Sequence, residues 1–419
     1  MVKAGYKRTE VGVVPEEWGV IPLGDLVTIT SGESPSRFKI SDEGVPYFKV
    51  EQLNNSSKLA DRTEFFIETN RTVKGGSVVF PKRGASIFQN KIRIFAHDSY
   101  MDTNLMALTC HAGLASEFLF YLLSYFGLSK VADTTSVPQI NNKHINPFLI
   151  CLPSSDEQRA IAGALSDVDG LIAGLEALIA KKRSLKTATM QQLLTGKTRL
   201  PGFGEGVGMK QTELGEIPED WDIIRLGELA FVTKLAGFEY TNHFNGYKDG
   251  GEIIVIRGTN ITNNSLDLSD VKYLPRHVSK GLPRSKLNSG DMVFAYVGTI
   301  GPVYQIKEND RFHLGPNTAK ITVENGLDPT FLFHCFTGVR IKREMIDSIS
   351  VGAQPSLSMG KIRKFRIGLP LCLDEQEAIA KVLSDFDDML SILENEISKT
   401  KALKQGMMQE LLTGRTRLI

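Results

Sequence analysis

The chain repeats itself. Residues Thr9 to Leu26, TEVGVVPEEWGVIPLGDL, return as Thr212 to Leu229, TELGEIPEDWDIIRLGEL, with ten of eighteen positions identical and the only two tryptophans, Trp18 and Trp221, in register. Residues Asp156 to Leu200 return as Asp374 to Leu418, with 25 of 45 positions identical and no gap. A fixed internal period constrains architecture before any local propensity is weighed, because each copy must build the same unit. Between the matches the copies diverge but keep a skeleton. GGSVVFPKRG (75–84) stands beside SGDMVFAYVG (289–298), EFLFYLL (117–123) beside TFLFHCF (330–336), and SVPQINNKHI (136–145) beside GAQPSLSMGKI (352–362). The chain therefore reads as one module used twice: a variable domain, then a strongly similar segment.

The similar segments read as helices. Ser155 with Gln158, and Asp374 with Glu377, have capping-box spacing. Ile161, Leu165, Val168, Ile172, Leu175 and Ile179 step by alternating fours and threes, and Ile379, Leu383, Phe386, Leu390, Leu393 and Ile397 repeat the steps. That spacing is the seam of a left-handed coiled coil. Leu185, Met190, Leu193 and Leu194 extend the first stripe, and Leu403, Met408, Leu411 and Leu412 the second; Gly196 and Gly414 fall where a helix stop belongs. Two equal stripes in one chain pair most simply with each other, and the intervening domain permits antiparallel pairing. Residues 201–208, PGFGEGVG, follow a helix and lack the Gly-Lys-Ser/Thr ending of a phosphate loop, so they read as a flexible linker. The division is 1–153, a first variable domain; 154–200, a first helix; 201–371, the linker and a second variable domain; and 372–419, a second helix. The fold class is α/β (α+β) domains in two copies, separated by two long antiparallel coiled-coil helices, with a pseudo-twofold internal repeat.

Within the variable domains, short β-branched and aromatic runs such as VPYFKV (45–50) and EIIVIRG (252–258) alternate with glycine and asparagine turns, so strand outweighs helix. Short helices are expected at 116–126 and 329–347. Several loops are rich in side chains that suit base edges and phosphates, since Arg and Lys read guanine while Asn and Gln read adenine. The candidates are Arg37, Lys49, Gln52, Lys82, Arg83, Gln89, Asn90, Lys91, Ser136 and Gln139 in the first domain. In the second they are Arg257, Asn260, Tyr296, Thr299, Gln354 and Ser356.

No catalytic constellation stands out. An amino-methyltransferase needs an Asn/Asp-Pro-Pro-aromatic loop and a glycine-rich cofactor turn, and the chain has no Pro-Pro pair. A motor needs Gly-Lys-Ser/Thr in a phosphate loop, also missing. The seven histidines are scattered and unrelated by the repeat, and the Asp-Glu-Gln triplets at 156–158 and 374–376 read as helix-capping residues. Cys110, Cys151, Cys335 and Cys372 form no metal-ligand spacing and read as buried reduced thiols, so no metal site is expected. No run approaches the roughly 20 apolar residues of a membrane span, and the N-terminus lacks a signal-peptide core, so a cytoplasmic protein with no membrane partner is expected. A net charge of +1 is low for a protein that holds DNA by phosphate neutralisation alone.

Taken together, the Gly-x-(Ile/Val)-Pro-x-x-Trp openings at 12–18 and 215–221, the DEQ turns, and the helix ends LLTG-(Lys/Arg)-TRL at 193–200 and 411–418 resemble the Type I restriction–modification specificity subunit, over essentially the whole chain. The resemblance implies that each variable domain is a target-recognition domain reading one half of a split double-stranded DNA site. It implies that the helices are spacers. It also implies that two modification subunits dock on the repeated surfaces, the outward helix faces and the Trp18 and Trp221 segments, although core packing is the better reading of the two tryptophans. It implies further that restriction subunits can join the complex. The chain would carry no cofactor, with S-adenosylmethionine, ATP and Mg in the partner subunits. A specificity subunit serving a fused methyltransferase–nuclease, and a structural scaffold that binds no DNA, share some of these features.

Overall fold

The computed structural model describes residues 4–418 except 55–56, 135–136, 240, 243–249, 263, 325 and 351–354. By contact the chain divides into two units, Met1–Ala177 with Asn395–Ile419, and Leu178–Glu394. Each long helix, Ser155–Leu193 and Leu373–Leu411, therefore contributes its first part to one unit and its last part to the other.

The first unit is layered. A five-stranded sheet runs in the order Val27–Ser31, Leu105–Cys110, Val78–Pro81, Arg93–Phe95, Leu59–Ala60, beside a four-stranded sheet built around Val45–Phe48. The run Val78-Val79-Phe80 is apolar without a break because both faces of its strand are covered. Val78 and Phe80 face a core shared with helix Ser116–Phe126, whereas Val79 faces the second sheet through Tyr47, Phe48 and Phe95. The second unit repeats the plan. Met292 and Phe294 face a helix, and Val293 faces the sheet built on Ile253–Ile256. The helix expected over 329–347 is two, Pro329–Thr337 and Val339–Ser348, because Gly338 adopts an extended backbone that ends the first.

The helix starts correct the capping-box reading. Ser154 Oγ, not Ser155, accepts the Glu157 amide. Glu157 and Gln158 are each 1 % exposed and turn into the unit. Gln158 donates to the carbonyls of Gly113 and Pro153 and accepts from the amide of Ala115. Glu157 accepts from Trp18 Nε1 at 2.9 Å and from Arg417 Nη2 at 2.9 Å, and the Arg417 guanidinium lies 6.0 Å from the Trp18 ring. In the second unit Arg199 Nη2 donates to Glu375 at 2.6 Å and the Arg199 guanidinium lies 5.7 Å from the Trp221 ring, whose Nε1, unlike that of Trp18, has no partner among the described residues, while Gln376 bonds Gly326, Pro370 and Asp328. Both tryptophans are core residues. The glycine of each LLTG stop completes the knot. Gly414 has φ +69°, and a Cβ there would sit 2.6 Å from Pro15; Gly196, at φ +68°, meets Pro218 in the same way. So DEQ, the tryptophan and TRL are parts of one buried ion-pair knot that joins the start of one long helix to the end of the other.

Along the helices the partners run antiparallel inside each unit. In the first, Lys401 pairs with Glu176 at 2.9 Å and Lys404 with Asp169 at 2.6 Å. In the second, Arg183 pairs with Glu394 at 2.6 Å and Lys186 with Asp387. Of the seam positions, Ile161, Leu165, Ile179, Ile379, Leu383 and Leu390 are buried, and Val168, Ile172, Leu175, Phe386, Leu393 and Ile397 are half-buried. Leu193, Met408, Leu411 and Leu412 are buried and Met190 and Leu194 half-buried, but Leu185 and Leu403 are 48 % and 58 % exposed. The inward stripe passes instead through half-buried Lys186 and Lys404, each neutralised by an aspartate of the other helix, and through buried Thr400. Of the four thiols Cys151 and Cys335 are buried, Cys110 is half-buried, and Cys372 is exposed because it lies in the turn just before the second long helix.

Position 121 and its counterpart 334 tie each domain to its helix. Tyr121 Oη donates to Asp169 at 2.8 Å, and His334 Nε2 lies 3.2 Å from Ser384 Oγ. His334 is 1 % exposed, and burial, helped by Lys186 and Lys307, pushes its imidazole down to about 3 from 6.5. Between those values the unfolded chain binds a proton that the folded one does not, so stability falls as pH falls, at about 1.4 kcal/mol per unit. The second unit should lose about 2 kcal/mol between pH 6.5 and pH 5 through this residue. His334→Gln should remove that share of the slope in urea unfolding; an unchanged slope would refute the assignment.

Candidate nucleic-acid interface

In each unit one edge gathers the turns that follow strands of both sheets. In the first unit, strand Val45–Phe48 ends at Lys49 and strand Val78–Pro81 at Lys82. Segment 102–104 bridges them: the Asp102 amide donates to Phe48 O at 2.9 Å, and the Lys82 amide to Asn104 O at 2.8 Å. The loop after Lys82 then bonds the loop before Ile140, with Arg83 bridged to Gln139 and the Gly84 amide donating to Pro138 O at 2.9 Å. The second unit follows the same plan. The Gly315 amide donates to Ile256 O at 2.9 Å, the Tyr296 amide to Asn317 O at 3.2 Å, and the Gly298 amide to Pro355 O at 3.0 Å, while Val297 bridges Ser356. Chain segments far apart in sequence thus form one continuous loop surface per domain.

The candidate side chains divide into those that present themselves and those that build the edge. Arg83 and Gln89 are exposed, and Gln139 and Lys91 half-buried; Arg83 has no ion pair among the described residues. Arg37 is exposed but paired with Glu33 at 3.0 Å, which also holds Arg71 and Tyr100. Lys82 is 9 % exposed, and burial lowers its pKa. Lys49 sits with Nζ 3.6 Å from the centre of the Phe65 ring. Gln52 accepts from the Lys49 amide at 2.9 Å, which fixes its own turn. Asn90 has φ 50° and spends its amide on Ser124 O and the Leu128 N–H, both at 3.0 Å. In the second domain Asn260, 3 % exposed, bonds Arg257, Asp267 and Asp270, and Arg257 pairs with Asp270 at 3.0 Å. Tyr296 is half-buried, with its phenol pKa raised by burial; Thr299 is exposed and Ser356 half-buried. Ser136 and Gln354 lie outside the described residues. Gln52, Asn90 and Asn260 therefore shape the loops, and Arg83, Gln89, Gln139 and Thr299 are what the loops present.

Reading by polarity passed over the apolar side chains of the same surface. Phe88 is 58 % exposed beside Gln89, and Val137 is 67 % exposed beside Pro138. The only sequence signal was an aromatic set among polar residues in SIFQN (86–90). Among the described residues, no group of three or more His, Cys, Asp or Glu is arranged to hold a metal, and no helix is long and apolar enough to cross a membrane.

Two mixed α/β modules with polar loops along one edge, each closed by the ends of two paired helices, define a duplicated α/β protein built on two long helices. The family model for the Type I restriction modification DNA specificity domain matches residues 15–181 and again 218–402, and this chain belongs to that family. The family supplies the specificity component of Type I restriction systems, which is not the catalytic one. The chain is 26 % identical over 427 residues to the Type I restriction enzyme MjaVIII specificity subunit of Methanocaldococcus jannaschii, covering 97 % of this chain and 94 % of that one. It is 22 % identical over 311 residues to the EcoBI specificity subunit of Escherichia coli, covering 71 % of this chain and 65 % of that one. Among solved structures it resembles the S subunit from M. genitalium, with TM-score 0.57 at 16 % identity, covering 94 % of this chain and 96 % of that one. It also resembles a chain of a type I R-M system whose complex assembly and conformational transition were described, with TM-score 0.59 at 15 % identity, covering 96 % of this chain and 99 % of that one.

Proposed function

We propose that this chain reads a bipartite DNA target, one half-site per domain, with residues 1–153 and 201–371 as the readers and 154–200 and 372–419 as the spacer that holds them apart. The observation that carries the reading is where sameness and difference fall. Positions identical between the copies build the buried knots of Trp18, Glu157 and Arg417 and of Trp221, Glu375 and Arg199. Positions that differ occupy the cross-bonded loops, where Arg83, bridged to Gln139, stands opposite Val297, bridged to Ser356. A pseudo-twofold protein can offer two like surfaces to two copies of a partner while meeting two unlike half-sites.

Two modification subunits are the proposed occupants of the repeated surfaces. The outward faces of the helices support this reading, since Leu171 and Leu403 in the first unit and Leu178, Leu185, Met389 and Ile392 in the second are exposed. Restriction subunits would join the same complex, and S-adenosylmethionine, ATP and Mg would be bound by those partners. A net charge of +1 fits a reader whose partners supply much of the grip on phosphate. The test is to co-express the full chain with a modification subunit of its own system and map methylated bases across the host genome. The expected motif is two short dissimilar blocks with a fixed gap. A single contiguous block, or methylation without a consensus, would refute the reading.

A further inference from the structure

The loop after Lys82 in the first domain is a rigid hook that holds an aromatic ring in solvent. Its backbone winds through one 3-10 turn, Ala85–Ile87, with Phe88 N–H donating to Ala85 O and Gln89 N–H to Ser86 O. Both flanks are anchored, because Ile87 and Ile92 are 0 % and 1 % exposed in the main core. Gly84, at φ +75°, starts the hook and donates to Pro138 O. Asn90 closes it in a left-handed conformation held by Ser124 and Leu128. A side chain on a floppy loop could fold back onto apolar surface; these anchors leave Phe88 no such retreat, and it remains 58 % exposed. Val137, on the loop bonded to Gly84, is 67 % exposed. The corresponding loop of the second domain, GTIGP (298–302), carries no aromatic residue.

We propose that Phe88 is a specificity-determining residue of the first domain, its ring packed on the methyl group of a thymine, with Gln89 beside it serving the adenine of the same pair. This inference rests on the DNA-reading function proposed above. An A·T pair shows the adenine N6 and N7 and the thymine methyl together in the major groove, and an adjacent amide and aromatic ring match that pattern. Gln89 is exposed and follows Phe88 directly.

The experiment uses the full chain assembled with its modification subunit and a duplex carrying the site mapped by methylation. Each thymine of the first half-site is replaced in turn by deoxyuridine, which removes only the methyl. Wild-type complex should lose roughly fourfold in affinity at one position, the worth of one buried methyl. Phe88→Ala should weaken binding to the unmodified duplex roughly tenfold, as a lost base contact does, and become indifferent to that replacement. Its urea midpoint should move little, since Phe88 is 58 % exposed in the folded chain. Binding by Phe88→Ala equal to wild type, undiminished sensitivity at that thymine, or a first half-site with no A·T pair would each overturn the assignment. A wild-type complex that binds no defined sequence would instead overturn the reading beneath it.

Discussion

Arg417→Ala is expected to destabilise the first unit by roughly 3–5 kcal/mol, the cost of leaving a buried charge without its partner. Glu157 is 1 % exposed, and its carboxylate is served by the Arg417 guanidinium and by Trp18 Nε1. Removing the arginine leaves that carboxylate with one indole N–H and no counter-charge. Glu157→Ala should cost less, on the order of 1–3 kcal/mol, because the Arg417 side chain is 28 % exposed and keeps Glu17 at 2.9 Å. The asymmetry separates a buried-charge knot from a surface ion pair, for which both substitutions cost about the same small amount. Hydrogen exchange gives the location: amides of residues 4–177 and 395–418 should exchange faster in Arg417→Ala, and Arg199→Ala should do the same within 178–394. An Arg417→Ala chain no less stable than Glu157→Ala would contradict the account.

The duplication and the heptad stripe were legible in the sequence because they are periodic, and period survives without knowledge of partners. The variable domains were legible as mixed α/β with more strand than helix, but their layering was not: that Val78–Pro81 and Met292–Ala295 are covered on both faces shows only once the second sheet is in place. What escaped reading was partnership. Glu157 and Gln158 look like first-turn capping residues until the Trp18 indole and the tail of the other helix are in place. The stripe seemed to continue at Leu185 and Leu403, yet the helical angle carries it through Lys186 and Lys404, which are tolerable there only because Asp387 and Asp169 face them. Asn90 and Asn260 have the right chemistry for adenine but spend their amides on their own backbone. An amide in a loop announces hydrogen bonding without saying to what. Conversely Phe88 went unremarked because a search for polar contacts passes over an apolar one.

Exchanging residues 1–153 for the matching domain of a relative should change the recognised sequence completely in one half-site and not at all in the other. The graft must keep what meets the helices. Trp18 and Pro15 close on Glu157 and Gly414, and Tyr121 bonds Asp169. The core of this unit also includes Ile161, Leu165, Met408, Leu411 and Leu412, which the exchange leaves in place. A donor with those matching residues should seat without loss of stability, and the helices, being untouched, should preserve the gap. Each base pair read typically carries about 1–3 kcal/mol of discrimination, so a replaced half-site shifts preference by several orders of magnitude. The decisive measurement is therefore methylation mapping with the exchanged chain and the unchanged modification subunit. Two separate readers on paired helices predict one new block, one old block and the original gap. A motif altered in both blocks, or in neither, would show that the domains do not read independently.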